Sequence, residues 1–141
     1  VHCEDAEIIL VTTGTVSGTC RQVLAELRAG GERVGLFKLK MLRPFPAAII
    51  RRQLACARKV AVVDRNFSFG AGGIFAQEIR AALCNLAPRP QVFGFIAGLG
   101  GRDITAQTPG EIYHQTKKSP APAADSIWIG LNQEVVESWP N

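Results

Sequence analysis

The chain has 141 residues, 47% of them hydrophobic, and a formal net charge of +4 at pH 7. This length suits one domain, and no run of 18 apolar residues predicts a membrane-spanning helix. The basic residues occur in ones and twos without interleaved aromatic residues, which argues against nucleic-acid binding. The chain starts with Val1 and resembles neither a signal nor a transit peptide, so we expect a piece of a longer protein or a processed subunit.

The first strand and helix follow directly after the amino-terminal residues. Residues 8–11 form a short apolar run, as expected for a strand that is buried on both faces. A loop at residues 13–18 leads into an amphipathic helix. Gly30 and Gly31 end this helix, because glycine adopts the left-handed conformation at a helix C-terminus without a steric clash.

A second strand and helix are predicted next. Residues 34–42 alternate, with Lys38 and Lys40 on one face and apolar side chains on the other, which indicates a strand that is exposed on one side. Pro46 suits the first turn of the following helix. The apolar face of that helix carries Ile49, Ile50 and Leu54.

The second half of the chain repeats the alternation. Residues 60–63 predict a third strand, residues 74–85 a third helix and residues 92–99 a fourth strand. A weaker helix is expected from residue 108 or 109 to about residue 117. Alternation of this kind with short connections predicts a doubly wound α/β domain, in which helices flank both faces of a mostly parallel sheet.

The last part of the chain differs in composition. We place the domain at residues 1–118 and treat residues 119–141 as a separate carboxyl-terminal arm. Its first part, residues 119–125, is rich in proline and alanine and reads as an extended linker. Residues 127–131 are too apolar to remain in solvent, so they form either an edge strand of this sheet or an arm that docks on a partner.

The cysteines and histidines do not predict a metal site. Cys3, Cys20, Cys56 and Cys84 are far apart in sequence and form no Cys-x-x-Cys pair, so neither zinc nor an iron–sulfur cluster is expected. We expect four free thiols, which points to the reducing cytoplasm. Two histidines are also far apart, and neither is predicted to bind metal.

Two kinds of catalytic or ligand-binding motif remain as alternatives. Gly70-x-Gly72-x-x-Phe75 is a partial dinucleotide fingerprint, so a free-standing module that binds a small anion or nucleotide at the sheet crevice stays open. A serine hydrolase is more remote. Ser68, Asp103 and His114 have the required chain order, but Asn66 stands where the nucleophile elbow needs glycine.

The loop at residues 64–73 and the turn at residues 100–103 are expected at the same end of the sheet, because each follows the carboxyl end of a parallel strand. Phe67 and Phe69 would form an exposed apolar contact surface there, flanked by Arg65 and Arg102, unless both rings fold back onto the core. Acidic residues in such loops are more typical of ion pairs or helix-end contacts than of catalysis. The candidate interface or anion-contact residues are Asp64, Arg65, Asn66, Phe67, Phe69, Gly70, Gly72, Gly73, Gly101, Arg102 and Asp103.

Three segments resemble a known family. The turn at residues 42–46, Leu-Arg-Pro-Phe-Pro, resembles the one after the second strand of transketolase C-terminal-like domains. Residues 63–66 and 68–73 resemble the corresponding loop of the 2-oxoacid:ferredoxin oxidoreductases. The segment at 94–105, Gly-Phe-Ile-Ala-Gly-Leu-Gly-Gly-Arg-Asp-Ile-Thr, is most similar to the pyruvate enzymes of that group.

The resemblance implies a place within a larger enzyme. Enzymes of this family decarboxylate a 2-oxoacid on thiamine diphosphate and Mg²⁺, pass electrons through iron–sulfur clusters to ferredoxin, and form an acyl-CoA. The motifs that bind those cofactors belong to other domains, so the resemblance implies no catalytic, cofactor-binding or metal-binding residue here. It implies an assembly domain whose partners are other subunits or domains of the oxidoreductase, and indirectly ferredoxin.

Overall fold

A computed structural model describes residues 1–131 of the chain. Within these residues, five parallel strands form one sheet in the order β2-β1-β3-β4-β5. Four α-helices and a short 3-10 helix at Leu99–Gly101 connect them. The strands are β1 Ile8–Thr12, β2 Val34–Lys38, β3 Lys59–Asp64, β4 Gln91–Ile96 and β5 Ile127–Trp128, and the helices are α1 Val16–Ala29, α2 Ala47–Leu54, α3 Ile74–Leu83 and α4 Gln107–Lys118.

Helices cover both faces of the sheet and bury two hydrophobic cores. Helices α2 and α3 pack on one face, around Ile50, Ile79 and Leu83. Helices α1 and α4 pack on the other, around Leu24 and Ile112. All five residues of β1 are buried, and the four apolar residues at 8–11 are typical of an inner parallel strand. The predicted doubly wound α/β fold is confirmed, and within residues 1–131 no helix has both the length and the apolar character needed to cross a membrane.

Several predicted boundaries were wrong. Strand β2 ends at Lys38 and not at residue 42, and β4 ends at Ile96 and not at residue 99. The second early ending has a clear cause, since Gly98 has a φ of 71° and turns the chain into the 3-10 helix. Helix α3 ends at Leu83, two residues earlier than predicted.

The predicted apolar face of α2 was also partly wrong. Ile50 and Leu54 are fully buried, but the Ile49 side chain is 48% exposed. Consecutive helical residues lie about 100° apart around the axis, so Ile49 and Ile50 do not point in the same direction. Ile49 is instead an apolar residue on the surface of the helix.

The segment after α4 returns to the sheet. It leads into β5, which pairs in parallel with β4 through Phe95–Ile127 and Ile96–Trp128. Ile129 continues the ladder by donating its N–H to Ile96 O at 2.9 Å. The edge-strand alternative for residues 127–131 therefore describes Ile127 and Trp128, and residues 132–141 of the proposed arm lie outside the described part of the chain.

Candidate interface at the carboxyl end of the sheet

The loops after β3 and β4 lie side by side, as predicted. Asp64 and Ile96 are register partners at the ends of these adjacent strands, and Ala97 donates its N–H to Asp64 O at 3.0 Å. Beyond the strands, Arg65 Nη2 donates to Gly98 O at 3.4 Å. The two loops thus form one continuous surface at the carboxyl end of the sheet.

Asp64, one of the acidic residues at this end, is fully buried. It caps α3 directly, although the β3–α3 loop separates it from the helix in sequence. Its Oδ1 accepts the N–H of Phe75 at 2.9 Å, and its Oδ2 accepts the N–H of Ala76 at 3.0 Å. These N–H groups belong to the first turn, which has no acceptor inside the helix. The predicted helix-end contact is therefore correct for Asp64, whose carboxyl group is fully occupied by a structural role.

Two further side chains complete the cap of α3. Asn66 Oδ1 accepts the N–H of Ile74 at 2.9 Å, while its amide donates to Asp64 Oδ1 at 3.0 Å. Ser126, from the segment before β5, accepts the N–H of Gly73 at 3.3 Å. Every N–H from residue 73 to residue 76 is thus satisfied by a side chain outside the helix, which replaces the usual capping residue at Gly73.

Burial and hydrogen bonding have opposite effects on the pKa of Asp64. Burial raises the pKa of the Asp64 carboxyl above its ordinary value, since a charge is costly to desolvate. The N–H groups of Phe75 and Ala76, the Asn66 amide and the nearby Arg80 guanidinium all favour the ionised form and limit the rise. The environment of the carboxyl group is that of a satisfied capping residue.

The nucleotide-binding interpretation is not favoured by this geometry. The helix N-terminus that would hold a phosphate already holds the Asp64 carboxyl group. Gly70 and Gly72 have φ values of 77° and 86°, and they form a tight turn in which Ser68 and Gly72 exchange backbone hydrogen bonds at 2.8 and 2.9 Å. These glycines serve the turn, in the left-handed conformation that glycine adopts readily.

The hydrolase interpretation is not favoured either. Ser68 lies in the same turn, and no side-chain hydrogen bond in the described part of the chain joins it to His114. His114 lies exposed on α4, where its ring packs against Tyr113 with centroids 5.4 Å apart. A nucleophile needs a base within hydrogen-bonding reach. Across residues 1–131 no group of His, Cys, Asp and Glu could hold a metal ion.

The two phenylalanines of the β3–α3 loop have different surroundings. The Phe67 ring is half-buried against Trp128 of β5, with centroids 4.9 Å apart. Phe69 meets Phe67 edge-on at 5.5 Å, and 94% of Phe69 is exposed. The interface hypothesis thus fits Phe69, and the fold-back alternative fits Phe67.

The loop after β4 and the residues after β5 add more apolar surface next to these rings. Leu99 and Leu131 are both exposed large hydrophobic residues, and with Trp128 they line a shallow apolar depression of about 290 Å³. Arg102 lines the same depression and donates to Gly130 O. Sequence reasoning missed Leu99, Trp128 and Leu131, because only the pairing of β5 with β4 brings these residues together.

The remaining predicted residues of the loop after β4 are exposed to solvent. Gly101 has a φ of 82° and closes the 3-10 helix, and Asp103 is exposed. Neither contacts the β3–α3 loop through a hydrogen bond in the described structure. The candidate surface is therefore built around Phe69, Leu99 and Leu131 with two arginines beside it.

The fold is that of transketolase-like α/β domains. A solved split-gene transketolase, described as an inactive β4 tetramer, superposes with a TM-score of 0.54 over 80% of this chain and 35% of that chain. The sequence identity of 15% supports the fold class alone. A closer solved structure is the 2-oxoglutarate:ferredoxin oxidoreductase of Magnetococcus marinus with 2-oxoglutarate, coenzyme A and succinyl-CoA bound. It has a TM-score of 0.57 and 26% identity over 81% of this chain and 18% of that chain.

Sequence comparison narrows the class to one family. Residues 6–108 match pyruvate:ferredoxin oxidoreductase core domain II, and the chain belongs to this family. It is 47% identical over 94% of its length to the pyruvate synthase subunit PorA of Methanothermobacter thermautotrophicus, and 38% identical over 83% to the ketoisovalerate oxidoreductase subunit VorA of Pyrococcus horikoshii. The chain spans about a third of these relatives, 33% and 30% of their respective lengths.

Proposed function

We propose that this chain is an assembly domain of a thiamine-diphosphate-dependent 2-oxoacid:ferredoxin oxidoreductase and supplies no catalytic group. The observation that carries the proposal is the structural role of the Asp64 carboxyl group. Its carboxyl group is the buried acid at the ligand-binding end of the sheet, and capping α3 occupies it. What this end presents outward is instead the Phe69 ring.

The reaction belongs to the whole complex. In it, a 2-oxoacid is decarboxylated on thiamine diphosphate and Mg²⁺ held by another domain, and the electrons leave through iron–sulfur clusters to ferredoxin. Pyruvate is the proposed substrate, because the relative at 47% identity is a pyruvate synthase subunit. The free state of all four cysteines supports a cytoplasmic location, since reducing compartments keep thiols unpaired.

The proposed contact surface lies at the carboxyl end of the sheet, on the loops after β3 and β4. Phe69, Leu99 and Leu131 form its apolar part, and Arg65 and Arg102 lie beside it. A side chain as exposed as Phe69 costs free energy in water, and aromatic and arginine residues are enriched at protein interfaces. We therefore assign this end to the contact with other subunits or domains of the oxidoreductase.

Affinity capture tests the proposal. A tagged form of the chain, expressed in its source organism, should retain proteins that carry thiamine diphosphate and iron, both measurable in the eluate. An eluate that contains the chain without either cofactor would overturn the proposal. Calorimetric titration of the isolated chain with Mg²⁺ and thiamine diphosphate should give no binding, and saturable binding at one site would contradict the assignment of that cofactor to another domain.

A further inference from the structure

The shallow apolar depression at the carboxyl end of the sheet has a wall formed by residues next to the carboxyl-terminal segment of the chain. Leu99 lines the depression from the 3-10 helix, Trp128 from β5 and Leu131 from the residues after β5. Leu99 and Leu131 are 38% and 44% exposed, so large apolar side chains of this wall are in contact with solvent. Exposed apolar surface that is grouped in this way usually marks a contact.

The chain turns at the depression after β5. Ile129 still belongs to the ladder, since its N–H donates to Ile96 O at 2.9 Å. Gly130 follows with a φ of 75°, a left-handed conformation that ends the extended path, and its carbonyl accepts a hydrogen bond from Arg102. Leu131 then lies in the wall of the depression, so residues 132–141 begin at its rim.

Residues 132–141 have a composition that suits this surface. Their sequence is Asn-Gln-Glu-Val-Val-Glu-Ser-Trp-Pro-Asn. The apolar side chains are those of Val135, Val136 and Trp139, at the i, i+1 and i+4 spacing that places residues on one side of a helical turn. Glu134 and Glu137 are acidic, and the segment contains neither lysine nor arginine. It therefore combines apolar groups with negative charge.

The charges beside the depression are complementary to those of the segment. Arg65 and Arg102 are exposed at this end of the sheet, and among residues 1–131 neither of them forms a salt bridge, not even with the neighbouring Asp103. Their guanidinium groups donate to the carbonyls of Gly98 and Gly130 respectively. Because a guanidinium has five N–H donors, each arginine retains donors for a carboxylate.

We propose that residues 132–141 fold back over this depression, with the Trp139 indole in it and Glu134 and Glu137 beside the two arginines. Ten residues span at most about 35 Å, which is enough to cross the depression and return. An indole buries roughly 150–250 Å² when it is covered. Attachment at Leu131 gives the segment an effective concentration on the order of millimolar, which a separate chain lacks. This tether and the opposite charges select this segment as the occupant.

The consequence for assembly rests on the proposed function. A docked segment covers Leu99 and Leu131 and leaves the Phe69 ring exposed, so partner subunits would meet Phe69 and the outer side of the segment. Docking itself takes place within one chain and is measured without any partner. Its failure would therefore leave the partner-capture experiments unaffected, and a failed capture would leave docking unaffected.

Fluorine nuclear magnetic resonance of the full chain labelled with 5-fluorotryptophan tests the docking. Trp128 and Trp139 are the two tryptophans of the chain, and Trp139→Phe assigns their signals. A soluble gadolinium chelate should relax the Trp139 signal at least threefold less than it relaxes the same residue in a labelled synthetic peptide of residues 132–141. Equal relaxation of Trp139 in the chain and in the peptide would overturn the proposal.

Variants locate the docked segment. Leu99→Ser and, separately, the double change Glu134→Gln with Glu137→Gln should each raise the relaxation of Trp139 at least twofold, whereas Ile49→Ser on α2 should not change it. Circular dichroism checks that Leu99→Ser is folded, and the glutamate variant, which leaves residues 1–131 unaltered, decides the matter if it is not. Two other outcomes would overturn the proposal: protection of Trp139 that survives both changes, which places the segment elsewhere, and protection that is lost on dilution, which indicates a second copy of this chain.

Discussion

The Asp64 carboxyl group occupies the space where a Gly73 side chain would begin. A Cβ built on Gly73 would overlap Asp64, and the lack of one lets the carboxyl group reach the N–H groups of Phe75 and Ala76. The end of β3 and the start of α3 are thereby joined by hydrogen bonds. This junction fixes the loop between them, which carries Phe69.

Removal of the Asp64 carboxyl group should destabilise the domain. Asp64→Ala leaves the N–H groups of two residues and the Asn66 amide without this acceptor, and we expect a loss of about 3 kcal/mol in the free energy of unfolding. Asp64→Asn retains one acceptor oxygen and should lose less. Urea denaturation measures both, and equal stability of Asp64→Ala and the unaltered chain would contradict the capping role.

A pair of glycine substitutions tests the Gly73 contact. Gly73→Ala should be strongly destabilising, because the added methyl group meets the Asp64 carboxyl group with no space to move. Gly18→Ala, in α1 where the added methyl group meets nothing within 4 Å, should be stabilising by about 0.5–1 kcal/mol. Thermal melts of the two variants should therefore shift in opposite directions, and a stable Gly73→Ala variant would refute the contact.

Two of the four thiols should react in the native state. Cys56 and Cys84 are exposed, whereas Cys3 and Cys20 are buried. Burial raises the pKa of Cys20 to about 12, so its reactive thiolate is scarce at neutral pH. Labelling with a chromogenic disulfide reagent should give two rapid equivalents and four after denaturation. Rapid reaction of three or four thiols in folded protein would contradict the burial of Cys3 or Cys20.

The raised pKa of Cys20 also predicts a pH dependence of stability. The unfolded thiol ionises near its ordinary value of 9.0 and the folded thiol near 12. The thiol's contribution is therefore complete below pH 9 and declines as the pH rises toward 12, because only the unfolded state releases its proton in that window. Cys20→Ala should show a shallower decline of the free energy of unfolding over this range. Identical slopes for the two proteins would rule out the shift.

The proposed interface predicts that one substitution can abolish partner capture without lowering the stability of the domain. Phe69→Ser should abolish partner capture and leave the melting temperature unchanged, since 94% of Phe69 is exposed. Ile49→Ser removes an exposed apolar side chain from α2 and should affect neither property. Phe67→Ser should lower the melting temperature, because the Phe67 ring packs on Trp128. Full capture by a folded Phe69→Ser variant would exclude this surface as the contact.

Local patterns in the sequence were sufficient to predict the main elements of the fold. The apolar runs that became β1, β3 and β4, and the turns between them, depend on neighbouring residues. The cap of α3 was only partly predictable, because Ser126 lies 53 residues from Gly73 and reaches it only after β5 pairs with β4. The different surroundings of Phe67 and Phe69 were not predictable for the same reason, since Trp128 decides which ring is covered.

The measurement that tests the central claim most directly is 2-oxoacid-dependent ferredoxin reduction by protein captured on the tagged chain. With pyruvate, coenzyme A and ferredoxin, the captured complex should reduce ferredoxin and form acetyl-CoA, while the isolated chain should do neither even with added Mg²⁺ and thiamine diphosphate. Catalysis by the isolated chain would contradict the assignment of an assembly role. A captured complex that is inactive with pyruvate, 2-ketoisovalerate and 2-oxoglutarate alike would contradict membership of a working oxidoreductase.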